Sequence, residues 1–107
     1  MDKIHHVAIQ VPNISDAVDW YLDNFETKIL YQDESWAFLE FQNINLAIVL
    51  PNQHPPHIAF EKDDAAKYGD LTPHRDGTAS IYIDDPFGNK IEIIKDNNKK
   101  PKDNEKK

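Results

Sequence analysis

Polar and apolar positions alternate from His5 to Val11, with β-branched Val7, Ile9 and Val11 on one side, and this two-residue period predicts a strand. Pro12 and Asn13 break it. Ala17, Val18, Tyr21, Leu22 and Phe25 then recur at helical spacing and form one apolar face, while Asp19, Asp23 and Asn24 take the wet side. Asn13 or Ser15 can cap this helix, and Asp16 suits its first turn. Strands are expected over Lys28 to Gln32, Trp36 to Phe41 and Asn45 to Leu50. The turns between them, Asp33-Glu34-Ser35 and Gln42-Asn43, are short enough for antiparallel hairpins. The first half reads β-α-β-β-β.

Pro51-Asn52-Gln53-His54-Pro55-Pro56 disfavours helix and forms a connector. The pattern then starts again. A strand is predicted from His57 to Glu61, a short helix from Asp63 to Tyr68 stopped by Gly69, and a brief strand from Leu71 to Pro73. Thr78 to Asp84 and Lys90 to Lys95 follow as strands around Asp85-Pro86-Phe87-Gly88-Asn89, a turn with proline early and glycine late. The second half is thus the same β-α-β-β-β unit, shortened. The chain reads as an α+β domain built from an internal repeat, with modules at about residues 3–50 and 57–95.

At 107 residues one compact domain, residues 1–95, is the natural expectation. No apolar run approaches the roughly 18–20 residues needed to cross a membrane, no signal peptide is visible, and a cytoplasmic location with no membrane partner is expected. The absence of cysteine removes disulfides and thiolate ligands from consideration. The last twelve residues, Asp96 to Lys107, hold five lysines against three acids and carry +2, which leaves −9 on the body of a chain whose total is −7. So acidic a body repels phosphate backbones and argues against a nucleic-acid partner. Residues 96–107, whose only apolar side chain is Pro101, are expected to be a disordered basic tail.

Candidate chemistry comes from strand positions. His6 opens the first strand, His57 opens the first strand of the second half, and Glu92 sits in the last. Strand alternation puts His6, Ala8 and Gln10 on one face and His5, Val7, Ile9 and Val11 on the other, where they can pack on the helix. His6 is therefore turned toward the concave side and His5 away from it. By the same parity His57 shares a face with Ala59 and Glu61, and Glu92 lies opposite Ile91 and Ile93. Two imidazoles and a carboxylate with open positions form the donor set of non-haem Fe(II) oxygenases, and with a bound water they also suit catalytic zinc.

His6-Val7-Ala8-Ile9-Gln10-Val11 followed by Asp19-Trp20-Tyr21, then His57-Ile58-Ala59-Phe60-Glu61, and Asp84-Asp85-Pro86-Phe87-Gly88-Asn89-Lys90-Ile91-Glu92 resemble the vicinal oxygen chelate superfamily of glyoxalases, bleomycin resistance proteins and extradiol dioxygenases. The resemblance covers about residues 3–95. It implies two β-α-β-β-β modules edge to edge, their curled mixed sheets surrounding a shared cavity. It implies metal ligands at His6, His57 and Glu92, and a fourth position at Ile48 by counting along the strand. No acid occurs from Phe41 to Phe60, so this departs from the glyoxalase I pattern and fits extradiol dioxygenases better.

The expectation is a protein that binds Fe, Mn, Ni, Co or Zn and acts on a small oxygen-chelating molecule as a dioxygenase, lyase or isomerase. The alternative is a metal-free protein that sequesters a small molecule, as in the bleomycin-resistance branch. Gln10, Trp36, Ile48 and His74 are candidate cavity or substrate contacts, with Phe38 and Tyr82 as further wall positions and His54 as a surface residue. A homodimer is expected, because the shortened second helix leaves its sheet poorly covered.

Overall fold

A computed structural model describes residues 1–97. The elements are β1 (Lys3–Gln10), α1 (Ile14–Asn24), β2 (Lys28–Gln32), β3 (Trp36–Glu40), β4 (Asn45–Val49), β5 (His57–Glu61), a 3-10 turn (Ala65–Tyr68), β6 (Thr72–Pro73), β7 (Thr78–Asp84) and β8 (Lys90–Asp96). The eight strands form one curled mixed sheet in the order β2-β3-β4-β1-β5-β8-β7-β6. That order is a β-α-β-β-β unit followed by its mirror. β1 pairs parallel with β4, β5 pairs parallel with β8, and the two halves join through the antiparallel pair β1–β5. Both modules therefore close on each other within one chain.

The helix forms where the period changed. The Asn13 side chain caps it by accepting from the Asp16 N–H at 2.9 Å. Ile14, Ala17, Val18 and Tyr21 make the stripe that packs on the sheet, against Ala37, Leu39 and Ile48. Leu22, counted on the apolar face, is 40% exposed instead, because it lies one position beyond that stripe. Val18, Leu39 and Ile48 are almost fully buried, and each such side chain contributes about 1.5–3 kcal/mol.

Among the described residues the second half lacks this cover. Asp63 to Tyr68 yields only the 3-10 turn, which buries Ala65. Ile58, on the face of β5 opposite His57 and Ala59, is accordingly 38% exposed. Gly69 ends the turn at φ 140°, and a Cβ there would lie 2.6 Å from Ile81 Cδ1. Gly88 also takes a positive φ, in the β7–β8 turn, where the Asp85 carboxylate accepts from the Phe87 and Asn89 N–H groups. Asp96, assigned by composition to the tail, is the last residue of β8 and pairs with Thr78. The rest of the expected tail, residues 98–107, lies outside the described residues.

Candidate metal centre

Three central strands carry the trio to one point. His6 comes from β1, His57 from β5 and Glu92 from β8, and the residues are only 5–7% exposed. His6 Nε2 lies 3.3 Å from His57 Nε2, and Glu92 Oε1 lies 3.2 Å from the first and 3.1 Å from the second. Metal bonds of about 2.0–2.2 Å at tetrahedral or octahedral angles require ligand separations of roughly 2.9–3.5 Å. The triangle fits a metal ion, and among the described residues it is the one group of three such side chains close enough to hold one.

His57 Nδ1 is 2.8 Å from the Pro55 carbonyl oxygen. A carbonyl only accepts, so Nδ1 carries a proton and the neutral ring presents a bare Nε2 lone pair to the centre. A lone pair facing a carboxylate oxygen at 3.1 Å needs positive charge between or upon them. Without metal, a proton fills that need: burial opposes charge on His57, but Glu92 and the Pro55 carbonyl outweigh it and raise the pKa. Burial likewise opposes the Glu92 charge, yet His57, His6 and Ser80 hold its carboxyl well below the usual range.

No family model matches the sequence. Among solved structures, the chain resembles a variant of Streptomyces coelicolor methylmalonyl-CoA epimerase in complex with 2-nitronate-propionyl-CoA, at 16% identity and a TM-score of 0.70, over 87% of this chain and 96% of that one. It also resembles a hypothetical protein from Bacillus halodurans, at 18% identity and a TM-score of 0.69, over 94% and 96% of the two chains. A third neighbour is a glyoxalase/bleomycin resistance protein/dioxygenase superfamily member from Vibrio splendidus, at 10% identity and a TM-score of 0.64, over 90% and 100%. This is the vicinal oxygen chelate fold. At such identities the likeness is one of architecture, and the site has to be read from this chain's own residues.

The two halves repeat one pairing pattern, β1 parallel to β4 and β5 parallel to β8, and this corrects the facing expected of Ile48. Glu92 pairs with Ala59, two residues after His57. The same step in the first half leads from His6 to Ala8 and across to Ala47. Ile48 instead points to the other face, into the core with Ile14 and Val18. The first-half counterpart of Glu92 is thus Ala47, which has no donor atom.

A second correction concerns His5. Between β1 and β5 the register slips, with Ile4 opposite Phe60 and His6 opposite Ala59, so His5 is the unmatched residue of a β-bulge. It does not turn away: its Nδ1 lies 2.7 Å from His6 Nδ1 and its ring stacks on Phe38.

The remaining candidates form a wider ring. Phe38 meets His6 edge-on at 5.4 Å between centroids. Trp36 lies one step further out, between Phe38 and Tyr31. Tyr82 packs edge-on against His57, and burial beside Glu92 pushes its phenol above the ordinary range, so it stays protonated. His74 does not reach the trio; its Nε2 bonds the Ser80 hydroxyl at 2.8 Å. Gln10 donates to the His54 carbonyl at 2.9 Å and ties down the connector. Ser80 was missed by sequence reasoning, although its alternation with Tyr82 on one strand was a usable signal.

Proposed function

We propose that this chain binds one divalent metal ion through His6 Nε2, His57 Nε2 and Glu92, and acts on a small molecule presenting neighbouring oxygen atoms. The observation that carries this reading is the buried triangle with 3.1–3.3 Å edges into which the His57 lone pair is aimed. Fe, Mn, Ni, Co and Zn all suit two imidazoles and a carboxylate. Bound there, the ion supplies Lewis-acid polarisation of the substrate oxygens.

The chain's own residues supply the setting. Pro55 fixes the His57 ring through its carbonyl, and Ser80 supports the Glu92 carboxylate. The protonated Tyr82 hydroxyl, 3.5 Å from His57 Nε2, is placed to donate a hydrogen bond to a ligand oxygen rather than to remove a proton. Phe38 and Tyr82 pack edge-on against His6 and His57 and flank the trio on two sides. Ala47 leaves the fourth protein position without a donor, which supports a site that keeps several positions for substrate, of the dioxygenase type ahead of the lyase or isomerase type. The complex formed by the epimerase neighbour supports a small-molecule partner in general terms. Exposed Ile4 and Ile58 on the thinly covered side support assembly as a homodimer.

Elemental analysis and calorimetric titration with Fe, Mn, Ni, Co and Zn test the metal. Micromolar or tighter binding of at least one ion, lost in His57→Ala, is expected. Binding unchanged in that variant, or no ion bound at all, refutes the reading.

A further inference from the structure

We propose that His5 is a positioning residue for the metal ligand His6, accepting a hydrogen bond from His6 Nδ1–H and thereby holding the tautomer whose Nε2 faces the metal. The inference rests on the reading of His6, His57 and Glu92 as ligands.

Neighbouring residues of a regular strand point to opposite faces. His5 and His6 do not, because His5 is the extra residue of the bulge in β1, and a bulge re-aims a side chain. The consequence is a contact between their Nδ1 atoms at 2.7 Å, with the rings at 74°. Two ring nitrogens so close share one proton, so one donates and the other accepts. A metal on His6 Nε2 occupies that lone pair and leaves the His6 proton on Nδ1. His6 must then donate, and His5 must present a bare Nδ1 with its own proton on Nε2.

His57 has the same arrangement, with the Pro55 carbonyl as acceptor. Each ligand imidazole thus has a fixed acceptor behind it, the kind of support that orients the ring and raises its basicity. Packing alone offers a competing explanation, since the His5 ring lies over Phe38 with centroids 6.1 Å apart. The two roles are separable by substitution. Asparagine places an acceptor oxygen near the position of Nδ1 without the ring, whereas leucine packs on Phe38 without an acceptor.

The experiment titrates wild type, His5→Asn, His5→Leu and His57→Ala with zinc and cobalt by calorimetry. His5→Leu is expected to weaken metal affinity about 10–100-fold, and His5→Asn to recover most of that loss. No loss in His5→Leu, or equal loss in both variants, overturns the inference. Independently of any variant's folding, long-range nitrogen-15 NMR of zinc-loaded wild type should find His6 protonated at Nδ1 and His5 bare there. A proton on His5 Nδ1 overturns it. If wild type binds neither ion, or His57→Ala binds them equally, the ligand reading fails and this inference falls with it. If metal is lost in His57→Ala while His5→Leu binds normally, only the role of His5 is refuted.

Discussion

Replacing Glu92 by glutamine should reverse the way His57 responds to pH in the metal-free protein. In wild type the His57 pKa is raised by Glu92 and the Pro55 carbonyl against the effect of burial. A raised histidine stabilises the fold fully below its unfolded value of about 6.5, and that stabilisation disappears as pH rises through the folded pKa. Glu92 is depressed, so its contribution is present above about pH 4.5 and is lost as pH falls through the folded pKa. Between about pH 4.5 and 6.5 both contributions are present, and the coupled pair is strongest there.

Both side chains are less than a tenth exposed, so solvent screens the pair little. Breaking a buried ion pair by removing one partner costs about 3–5 kcal/mol, and the retained shape of the amide puts Glu92→Gln near 3. For a domain of this size that corresponds to a melting temperature lower by about 12 °C or more. In the variant burial acts on His57 without the carboxylate, its pKa falls below the usual value, and the contribution of His57 rises with pH. His5 and His54, both lowered by burial first, are each also raised by the charge of Glu92, so they add a smaller contribution of the same sign to the wild-type-minus-variant difference. Urea unfolding of chelator-treated protein from about pH 5 to 9 measures it. The difference should be greatest near pH 5.5 and shrink as the solution becomes alkaline, about 1.4 kcal/mol for each pKa unit that separates His57 in the folded wild type from His57 in the folded variant. A difference that is flat, or that grows with pH, refutes the reasoning.

Other outcomes follow from single positions. Ala47→Glu should tighten metal binding by about tenfold or more while lowering metal-free stability, since the new carboxylate is buried; unchanged affinity by calorimetry would show that this position does not face the ion. Gly69→Ala should lower stability by about 1–3 kcal/mol in urea unfolding, from a residue held at positive φ against Ile81, and leave metal affinity intact; an unchanged midpoint refutes this account. Asn13→Ala should cost about 0.5–2 kcal/mol through loss of the α1 cap, with Asn13→Asp restoring it; equal stability of all three proteins refutes the cap. Light scattering at about micromolar concentration should report a dimer of a size at which burial of the exposed Ile4 and Ile58 becomes worthwhile; a monomer counts against the proposed assembly.

Element type was legible wherever the period was clear. The strand at His5 to Val11, the helix after Asn13, and the hairpin around Asp85 to Asn89 all appear within a few residues of their expected limits. Ile48 went wrong because Leu46-Ala47-Ile48-Val49 is apolar throughout, so no alternation marks which residues face the site. Its facing is fixed by pairing: Ala47 lies between Ala8 on one neighbour and Phe38 on the other. His5 was illegible for a related reason. A bulge is a property of two strands, and nothing inside Ile4-His5-His6-Val7 announces the slip against β5. The charged run after Glu61 was read as a short helix, but four residues before Gly69 make only a 3-10 turn.

These details point to a division of labour between the halves. The packed cluster around Leu39 and Ile48 lies wholly in the first module, under α1. Among the described residues the second module has no comparable cover, yet it supplies two of the three candidate ligands, His57 and Glu92. A ligand set needs its members held to within about half an ångström, and loosely packed elements do not provide that alone. Here the support comes through the sheet. β5 is hydrogen-bonded along its length to β1, which the first module anchors, and β8 is held to β5 in turn. The position of Glu92 therefore depends on the β1–β5 seam, and the bulge at His5 sits in that seam. A substitution that weakens the first module's core, such as Val18→Ala, should loosen metal binding as well as lower stability, although Val18 touches no ligand. If the metal affinity of folded Val18→Ala equals that of wild type, the two halves hold their geometry independently.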